Sequence, residues 1–312
     1  MAIMRTAGAL TRVYQRSGLQ GAVRTFGLTM FLPATLRQLE PQTPPMARAF
    51  SNRLISPHES PSGVTRYRVA LLTGCIQDLV FSNVNRDTAD VLLANGCAIH
   101  TPAEQPCCGS LHAHNGELEL ARQQARRMID VFPPDRYDAI ITNAGGCGSH
   151  LRRYGHLLES DPRYEEAARV WDTKVKDVQE WLVAIGCRTP EASPFAHHTT
   201  VTYHDSCHLV HGQQVSAQPR AILRLLPGVS LVELAESTWL VRRCRARRRH
   251  HDPAGPALRA PGAPAERSPL QCRPPQAPPC ILPRSAASAG QPNSSDSYDL
   301  LIAGTLNRDC HV

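Results

Sequence analysis

The sequence predicts an α/β protein with two tandem units, each a short parallel sheet flanked by helices, the second unit being incomplete. Three observations predict it. Short apolar runs alternate with segments of helical periodicity between residues 68 and 239. Cysteines follow four of the predicted strands. The order of strand, cysteine and helix then occurs again after residue 198.

Length, composition and charge bound the class of protein. The chain has 312 residues, of which 42% are hydrophobic, enough for about two folded domains. Its net charge of +7 is concentrated in residues 240–312, which hold eleven Arg against five acidic residues. Residues 1–239 are therefore close to neutral. The charge does not indicate a folded nucleic-acid-binding face, and we expect no nucleic-acid partner.

No segment has the pattern of an export signal or of a membrane span. The first 20 residues lack the continuous apolar stretch of a signal peptide, and no run reaches ~18 apolar residues. We therefore expect a cytoplasmic protein. A mitochondrial presequence is the alternative interpretation of the Arg-bearing, acid-free first 38 residues. In a reducing compartment, clustered cysteines indicate metal binding rather than disulfides.

Composition divides the chain into four parts. Helices are expected within residues 18–39, and the Pro- and Ser-rich stretch at 56–63 is expected to be a linker. The predicted parts are a helical lead-in and linker (1–66), a first α/β unit (67–190), a partial second unit (198–239) and a tail (240–312).

In the first unit, strands and helices alternate as in a parallel sheet with crossover helices. The predicted strands are residues 69–72, 97–100 and 137–142. The predicted helices are residues 85–95, 117–131, 151–158, 165–171 and 175–185, and a Gly-rich turn is expected at 144–148.

Four cysteines are predicted to meet at one edge of this sheet. Cys75 and Cys147 each follow a strand, and Cys107 and Cys108 follow another strand after a short loop. The loops at the carboxyl ends of parallel strands lie at the same edge of a sheet. Four converging thiolates form a soft-metal site, so we predict that these cysteines ligate zinc or an iron–sulfur cluster.

The second unit carries the start of a similar site. Its predicted elements are a strand at 199–203, a helix at 219–226 and a strand at 229–232. Cys207 follows the first strand, and we interpret it as part of a half-built second site. The flanking His204 and His208 are expected to orient its loop or to ligate a metal. Asp205 is expected to cap a helix.

Other conspicuous residues have structural explanations. Cys97 and Cys187 each follow a glycine that ends a helix, and we expect both to be small buried hydrophobes. Tyr154 is expected to pack in the core. None of these residues adds to the predicted metal site.

The spacing of the cysteines resembles a known family. Cys75 and Cys107 enclose 31 residues, Cys108 and Ala144 enclose 35, and Cys147 is the last cysteine of the motif. This resembles the cysteine-rich CCG domain, which pairs two copies of a motif made of a Cys, a Cys pair and a C-x-x-C. The resemblance covers about residues 20–239. It is strongest to the iron–sulfur subunit of glycolate oxidase (glycolate dehydrogenase), in the phrases LLTGCIQ, PCCGSLHAHNG, TNAGGCGSHLRRYGHLL and YHDSCHLVHGQ.

The resemblance implies a subunit that passes electrons within a complex whose flavin subunits oxidise glycolate to glyoxylate. It implies a 4Fe–4S type cluster, with zinc as the alternative, bound by the four cysteines of the first unit, and a cofactor-binding role for Cys207. It also implies flavin-containing glycolate oxidase subunits as partners and peripheral association of the complex with the cytoplasmic face of the inner membrane. The chain has no flavin or nicotinamide fingerprint, so we expect an electron-transfer component rather than a complete oxidoreductase.

Three departures from the family pattern leave other functions open. The ferredoxin-like part expected ahead of the motif is absent, since the first cysteine is Cys75. Ala144 stands where the wider family often has a cysteine, and residues 239–241 stand where a second cysteine pair is expected. The alternatives are thiol–disulfide chemistry like that of heterodisulfide reductases, a structural zinc module and an inactive truncated product.

The tail is expected to be disordered or translated out of frame after Trp239. Residues 240–312 hold eleven of the 26 Pro and show little periodicity. Four further cysteines there fall at no ligand spacing: Cys244, Cys272, Cys280 and Cys310. The competing interpretation is an Arg-rich segment that binds nucleic acid.

Overall fold

The computed structural model describes residues 2–234 and Ser237, so Trp239 and the predicted tail with its four cysteines lie outside the described residues. The strands are β1 (His58–Glu59), β2 (Tyr67–Leu71), β3 (Cys97–His100), β4 (Ala139–Thr142), β5 (Val175–Asp177), β6 (Thr199–Val201) and β7 (Val229–Leu231). The α-helices are α1 (Ala2–Arg16), α2 (Leu19–Thr25), α3 (Ala34–Leu39), α4 (Ser51–Leu54), α5 (Ile76–Val80), α6 (Ser82–Ala94), α7 (Ser110–His114), α8 (Leu118–Val131), α9 (Gly145–Leu151), α10 (Tyr154–Leu157), α11 (Glu165–Lys174), α12 (Val178–Ala184) and α13 (Ala217–Leu225). A π-helix covers His208–Gln213.

The first unit is built on a five-stranded sheet in the order β1-β3-β2-β4-β5. Strands β2 to β5 run parallel, and β1 pairs with β3 antiparallel. Residues 69–71 of β2 and all four residues of β4 are buried because helices cover both faces of the sheet. The predicted α/β class, with short parallel sheets and flanking helices, is confirmed.

Alternate residues of the central strands enter two separate cores, as the two-residue repeat of a strand requires. Ala70 and Ile140 pack in a cluster with Trp171, whereas Leu71 and Ile141 pack in a cluster on the opposite face. Complete burial of each large side chain contributes about 1.5–3 kcal/mol. The central strands therefore hold the strand ends that carry the cysteines in a rigid frame.

The prediction of a single helix over residues 175–185 is wrong. Val175 pairs with Ile140, which makes the first three of these residues the edge strand β5. Asp177 ends the strand and caps α12 by accepting a 2.9 Å hydrogen bond from the Gln179 N–H, within a capping box. A three-residue strand is too short to show alternation, so its residues merge with the periodicity of the helix that follows.

The predicted linker at 56–63 contributes a strand, because His58 pairs with His100 of β3. Arg86 holds this segment through a 2.8 Å ion pair with Glu59. Residues 18–39 form two helices joined by a 3₁₀ turn, in agreement with the prediction. The helix α1 ahead of them lies within the predicted helical lead-in, although the sequence did not indicate its bounds.

The arm formed by residues 2–43 directs Arg5 inward and many of its large apolar side chains outward. Arg5 is only 9% exposed. Gly8 lets α1 lie close to Leu79 of α5, since a Cβ at this position would lie only 2.9 Å from that side chain. The large apolar side chains on the outer face of the arm are Ile3, Leu10, Val13, Leu19, Phe26, Leu28, Met30, Phe31, Leu36 and Leu39. Across the described part of the chain, no helix has the length and apolar character to cross a bilayer.

The second unit is a two-stranded parallel sheet, β6 and β7, covered by α13. Its core consists of Val201, Tyr203, Leu223 and Leu226. Against the first unit, α13 packs on α12 and the π-helix packs on α9. The predicted strand, helix and strand of this unit are confirmed, whereas the π-helix was not predicted.

Candidate metal centre

Cys75 lies in a tight turn between β2 and α5. Gly74 has a φ of +69°, a left-handed conformation that favours glycine. The turn places Cys75 directly before the first residue of α5. The thiol is partly buried.

The pair Cys107-Cys108 lies at the entrance to α7. Gly109 has a φ of +83°, and a Cβ there would lie 3.2 Å from the carbonyl oxygen of Ala121. Glycine therefore lets the chain turn into α7 while staying packed on α8. Cys108 is buried, whereas Cys107 is partly buried.

Cys147 lies in the first turn of α9, so the prediction of a Gly-rich turn at 144–148 is wrong. A Cβ on Gly148 would lie 2.6 Å from the side chain of Gln213. The glycines here let the π-helix of the second unit pack directly against the helix that carries the cysteine. They were interpreted as a turn because Gly is a strong turn former.

The four cysteines predicted as ligands make a continuous set of thiol contacts. The Sγ atoms of Cys75 and Cys107 are 3.8 Å apart. Cys108 lies within hydrogen-bonding reach of both Cys107 and Cys147. Three strand ends thus bring the four sulfurs together at one edge of the sheet. That they ligate a metal stays a prediction.

These contacts lower the pKa of two of the four thiols and raise the pKa of the other two. The pKa of Cys107 is lowered, chiefly by its hydrogen bonds with Cys108 and Cys75, and the pKa of Cys147 is lowered by its hydrogen bond with Cys108. The pKa values of Cys75 and Cys108 are raised, first by the contact with Cys107 and also by burial. Metal ligation requires thiolates, so binding would release the protons that these two thiols retain.

Backbone N–H groups are directed at three of the sulfurs. Gly109 N lies 3.5 Å from Cys107 Sγ. The N–H groups of Ile76 and Ser110 act to lower the pKa of Cys75 and of Cys108, respectively, against the larger effects that raise them. Ile76 and Ser110 are the first residues of α5 and α7, where N–H groups have no partner within the helix. Such donors stabilise negative charge on sulfur.

Aromatic side chains close the inner side of the site. Tyr154 is fully buried, as predicted; its hydroxyl donates a 2.7 Å hydrogen bond to the Cys108 carbonyl, and its ring stacks on Trp171. The His150 ring packs edge-on against Tyr154. Burial, followed by the nearby His114, lowers the pKa of His150 to about 4, so this imidazole is neutral at pH 7.

The donor set fits a soft metal or an iron–sulfur cluster. Four neighbouring thiolates can bind either one, and the N–H donors around them stabilise the negative charge on sulfur. Within residues 2–234 and Ser237, however, no three His, Cys, Asp or Glu side chains are arranged to bind a single ion. A mononuclear site would therefore require side-chain rearrangement among the four thiols.

Cys207 precedes the π-helix, and its Sγ lies 3.6 Å from His208 Nδ1. The His208 ring in turn faces His114 of α7, with ring centroids 6.5 Å apart. The loop of the second unit therefore faces the helix that follows the cysteine pair of the first unit. The role of Cys207 in cofactor binding stays a prediction.

The prediction that Asp205 caps a helix is wrong. Its carboxylate is buried and accepts two hydrogen bonds from Arg220, at 2.8 Å and 2.9 Å, and one from the Ser216 hydroxyl. The Arg220 guanidinium also lies over the ring of Tyr203. The helix after Asp205 starts only at His208, so this carboxylate serves the tertiary structure of the second unit.

The other two cysteines differ from each other. Cys97 is fully buried, as expected, whereas Cys187 is only partly buried. Cys187 lines a cavity of about 330 Å³ between the two units, together with Leu182, Tyr203 and other mostly aliphatic side chains. None of the five predicted site cysteines lines this cavity.

Sequence reasoning missed three buried or partly buried amides behind the cysteine loops: Asn85, Gln105 and Asn143. Asn85 is fully buried and Gln105 is 4% exposed. The available signal was weak: Asn85 lies on the buried face of α6, a position where an apolar residue is the usual choice.

Fold and site together define a cysteine-rich α/β protein with a thiol cluster at the carboxyl ends of its strands. The family model described as "Cysteine-rich domain" (CCG) matches residues 69–152 and 201–239. The model described as "Glycolate oxidase iron-sulfur subunit, linker region" matches residues 2–43, so the resemblance extends to residue 2. The chain belongs to the CCG cysteine-rich family that includes the glycolate oxidase iron–sulfur subunits.

Curated relatives agree with this assignment. The chain is 39% identical over 244 residues to a probable glycolate oxidase iron–sulfur subunit of Bacillus subtilis (strain 168), which covers 75% of the chain and 52% of the relative. It is 32% identical over 167 residues to lactate utilization protein A of Oceanobacillus iheyensis, covering 54% of the chain and 67% of the relative.

A third relative is an uncharacterized iron–sulfur protein of Methanocaldococcus jannaschii, 32% identical over 174 residues, which cover 56% of the chain and 32% of the relative. The chain thus spans about half the length of the Bacillus relative and less of the archaeal one. No solved structure matches the chain.

Proposed function

We propose that this chain is an iron–sulfur electron-transfer protein whose 4Fe–4S type cluster is held by Cys75, Cys107, Cys108 and Cys147. The observation that carries the proposal is the continuous contact among four thiols delivered by three strand ends. Four cysteine thiolates are the common ligand set of such clusters. The names of two relatives, an iron–sulfur subunit and an iron–sulfur protein, support the same cofactor.

A bound cluster would supply one-electron transfer. The residues of this chain hold it through the four thiolates and stabilise its charge with the N–H groups of Ile76, Gly109 and Ser110. The buried rings of Tyr154 and Trp171 keep water from the inner side of the site. Hydrogen bonds to sulfur and exclusion of water are the main means by which a protein sets the reduction potential of a cluster.

We further propose that the electrons come from glycolate, oxidised to glyoxylate by a flavin-containing partner subunit. The names of two relatives refer to glycolate and to lactate, both short 2-hydroxy acids, and the linker match at residues 2–43 favours glycolate. The outer apolar face of the arm offers a contact surface for a partner subunit. Association with the cytoplasmic face of the inner membrane would follow through the complex.

Metal and sulfide analysis of the anaerobically purified full chain tests the cofactor. We expect a brown protein with about four iron and four labile sulfide per chain and a paramagnetic signal after one-electron reduction. A colourless protein without iron would refute the proposal. Copurification with a flavin subunit and reduction of the cluster on adding glycolate test the partner; reduction by lactate alone would reassign the substrate.

A second candidate is a structural zinc site, which one distance favours. The 3.8 Å between Cys75 Sγ and Cys107 Sγ matches two thiolates on one tetrahedral zinc, which lie about 3.8 Å apart for Zn–S bonds of about 2.3 Å. In that case the same purification would give one zinc per chain, no labile sulfide and no signal on reduction.

A further inference from the structure

A chain of buried side-chain hydrogen bonds connects the three loops that carry the cysteines. The loops follow β2, β3 and β4, and they carry Cys75, the pair Cys107-Cys108, and Cys147 respectively. None of the side chains in this hydrogen-bond network is a cysteine, and none has been assigned a role. Its two centres are Asn85 on α6 and Gln105 in the loop after β3.

Gln105 joins the first loop to the second. Its Oε1 accepts a 3.0 Å hydrogen bond from the N–H of Thr73, two residues before Cys75. Its Nε2 donates at 3.2 Å to the carbonyls of Leu71 and Pro102. Gln105 itself lies two residues before Cys107. One side chain therefore sets the distance between the backbones that lead into Cys75 and Cys107.

Asn85 joins the first loop to the third. Its Nδ2 donates at 2.8 Å to the Thr73 carbonyl and at 2.9 Å to the Ser51 hydroxyl. Its Oδ1 accepts a 2.9 Å hydrogen bond from Asn143, four residues before Cys147. Asn143 also donates at 3.0 Å to the Thr88 hydroxyl on α6.

A buried ion pair extends the network to the arm. Arg5 Nε lies 2.9 Å from Asp78, three residues after Cys75, and Arg5 Nη1 donates at 2.8 Å to the Ala103 carbonyl in the second loop. Asp78 is fully buried and also accepts a 2.6 Å hydrogen bond from the Ser51 N–H. Ser51 thus links the ion pair to Asn85.

The chemistry of amides suits this task. Each amide donates and accepts, so one side chain can bond an N–H of one loop and carbonyls of another. It does so without adding a charge beside the thiols. Because these bonds are buried, removing one partner leaves the others unsatisfied, which makes the spacing of the loops stiff.

We propose that Asn85 and Gln105 are positioning residues for the metal centre, which hold the three cysteine loops at the spacing that brings the four thiols together. They act through the backbone and do not touch the cofactor. This inference rests on the proposed cluster for its role in the cell, but the positioning itself is a property of the metal-free chain. Outer-shell partners of this kind typically change metal affinity about 10- to 100-fold.

The first test uses the metal-free full chain and measures how fast Cys75 and Cys107 form a disulfide with oxidised glutathione, read by peptide mass spectrometry. In the wild type the two sulfurs are 3.8 Å apart, so we expect this disulfide to form readily. We expect Gln105→Leu and Asn85→Ala to slow this reaction at least about tenfold. Gln105→Glu keeps the acceptor for Thr73 and should fall between Gln105→Leu and the wild type.

The matched control is Asn95→Ala. Asn95 is also an amide that joins two segments, donating at 2.8 Å to the Val91 carbonyl and accepting at 2.7 Å from the Arg188 N–H, but it contacts no cysteine loop. It should lower the melting temperature without slowing the disulfide. If Asn95→Ala slows the reaction as much as the two test variants, global destabilisation explains the effect and the proposal is overturned.

The second test uses the reconstituted protein. We expect the iron that Gln105→Leu still binds to show a shifted reduction potential and an altered paramagnetic spectrum, which a purely structural role would not move, since this variant adds no charge near the thiols. Unchanged disulfide rates, spectrum and potential would overturn the inference. If the wild type takes up no iron, the proposed function fails, while the disulfide rates still decide the positioning role.

Discussion

The two units share one order of elements but differ in what they assemble. The first unit has a five-stranded sheet, and three of its strand ends bring four thiols together. The second unit, as far as it is described, has two strands and contributes Cys207. A multi-thiol site needs several neighbouring strand ends, and the described residues supply them in the first unit.

The comparison also indicates what the second unit contributes to the first. Its π-helix packs on α9, which carries Cys147. Gln213 donates at 3.0 Å to the Gly145 carbonyl, and Arg152 donates at 2.8 Å to the Gln213 carbonyl. The second unit thus braces one cysteine-bearing helix of the first.

The largest contrast is expected between Cys108→Ser and Cys207→Ser. Cys108 contacts two other thiols of the set, so its loss should abolish iron binding and destabilise the first unit. Cys207→Ser should leave nearly all the iron bound to the first unit. Iron and sulfide analysis with visible absorbance measures both. Unchanged metal content in Cys108→Ser would remove it from the ligand set.

Breaking the buried Asp205–Arg220 pair should unfold the second unit selectively. Asp205→Ala leaves a mostly buried guanidinium without its main partner, and the expected loss is about 3–5 kcal/mol. Urea unfolding gives the loss, and hydrogen exchange localises it to β6, β7 and α13. The control Arg188→Ala removes an exposed pair with Glu191 and should change stability by less than about 0.5 kcal/mol. Equal losses in the two variants would contradict this role for the buried pair.

Two neighbouring glycines of α9 should respond in opposite directions. Gly148→Ala places a Cβ 2.6 Å from the Gln213 amide, so we expect a loss of about 1–3 kcal/mol as that buried amide is pushed from its bond to the Gly145 carbonyl. Gly146→Ala meets nothing within 4 Å and should stabilise the helix by about 0.5–1 kcal/mol. Calorimetry on both variants checks the signs. A neutral Gly148→Ala would show that the Gln213 amide moves aside at no cost, and would contradict a stabilising role for its bond to Gly145.

The smallest effect is a pH dependence at Asp177, which ends β5. Burial raises its pKa to about 6, above the 3.8 of an exposed carboxyl. The folded state therefore binds the extra proton, and this group adds stability as pH falls through 6, fully present only below 3.8. Between pH 7 and pH 5 the gain is about 1 kcal/mol.

Asp177→Asn keeps a capping side chain and removes the titration. We expect the wild type to gain that amount of stability relative to the variant as pH falls from 7 to 5. A difference that is constant over this range would show that Asp177 is ionised in the folded protein at pH 5.

Sequence reasoning predicted much of the frame and of the candidate site. The apolar runs at 69–72 and 139–142 are continuous because both faces of those strands are buried, and such runs are visible without a structure. The cysteine spacing predicted convergence of Cys75, Cys107, Cys108 and Cys147. In contrast, β5 and the π-helix were missed, since neither has a periodicity long enough to register.

The amino-acid sequence by itself determined the α/β class, the strands that deliver cysteines and the family to which the chain belongs, because local apolar patterns and cysteine spacing encode them. Only the tertiary structure decided which thiols touch, which of them hold protons and which amides link the cysteine loops. Asn85 and Asn143 are 58 residues apart and bond only because α6 packs behind β4. Contacts of that kind depend on side-chain geometry across the fold, which no local pattern records.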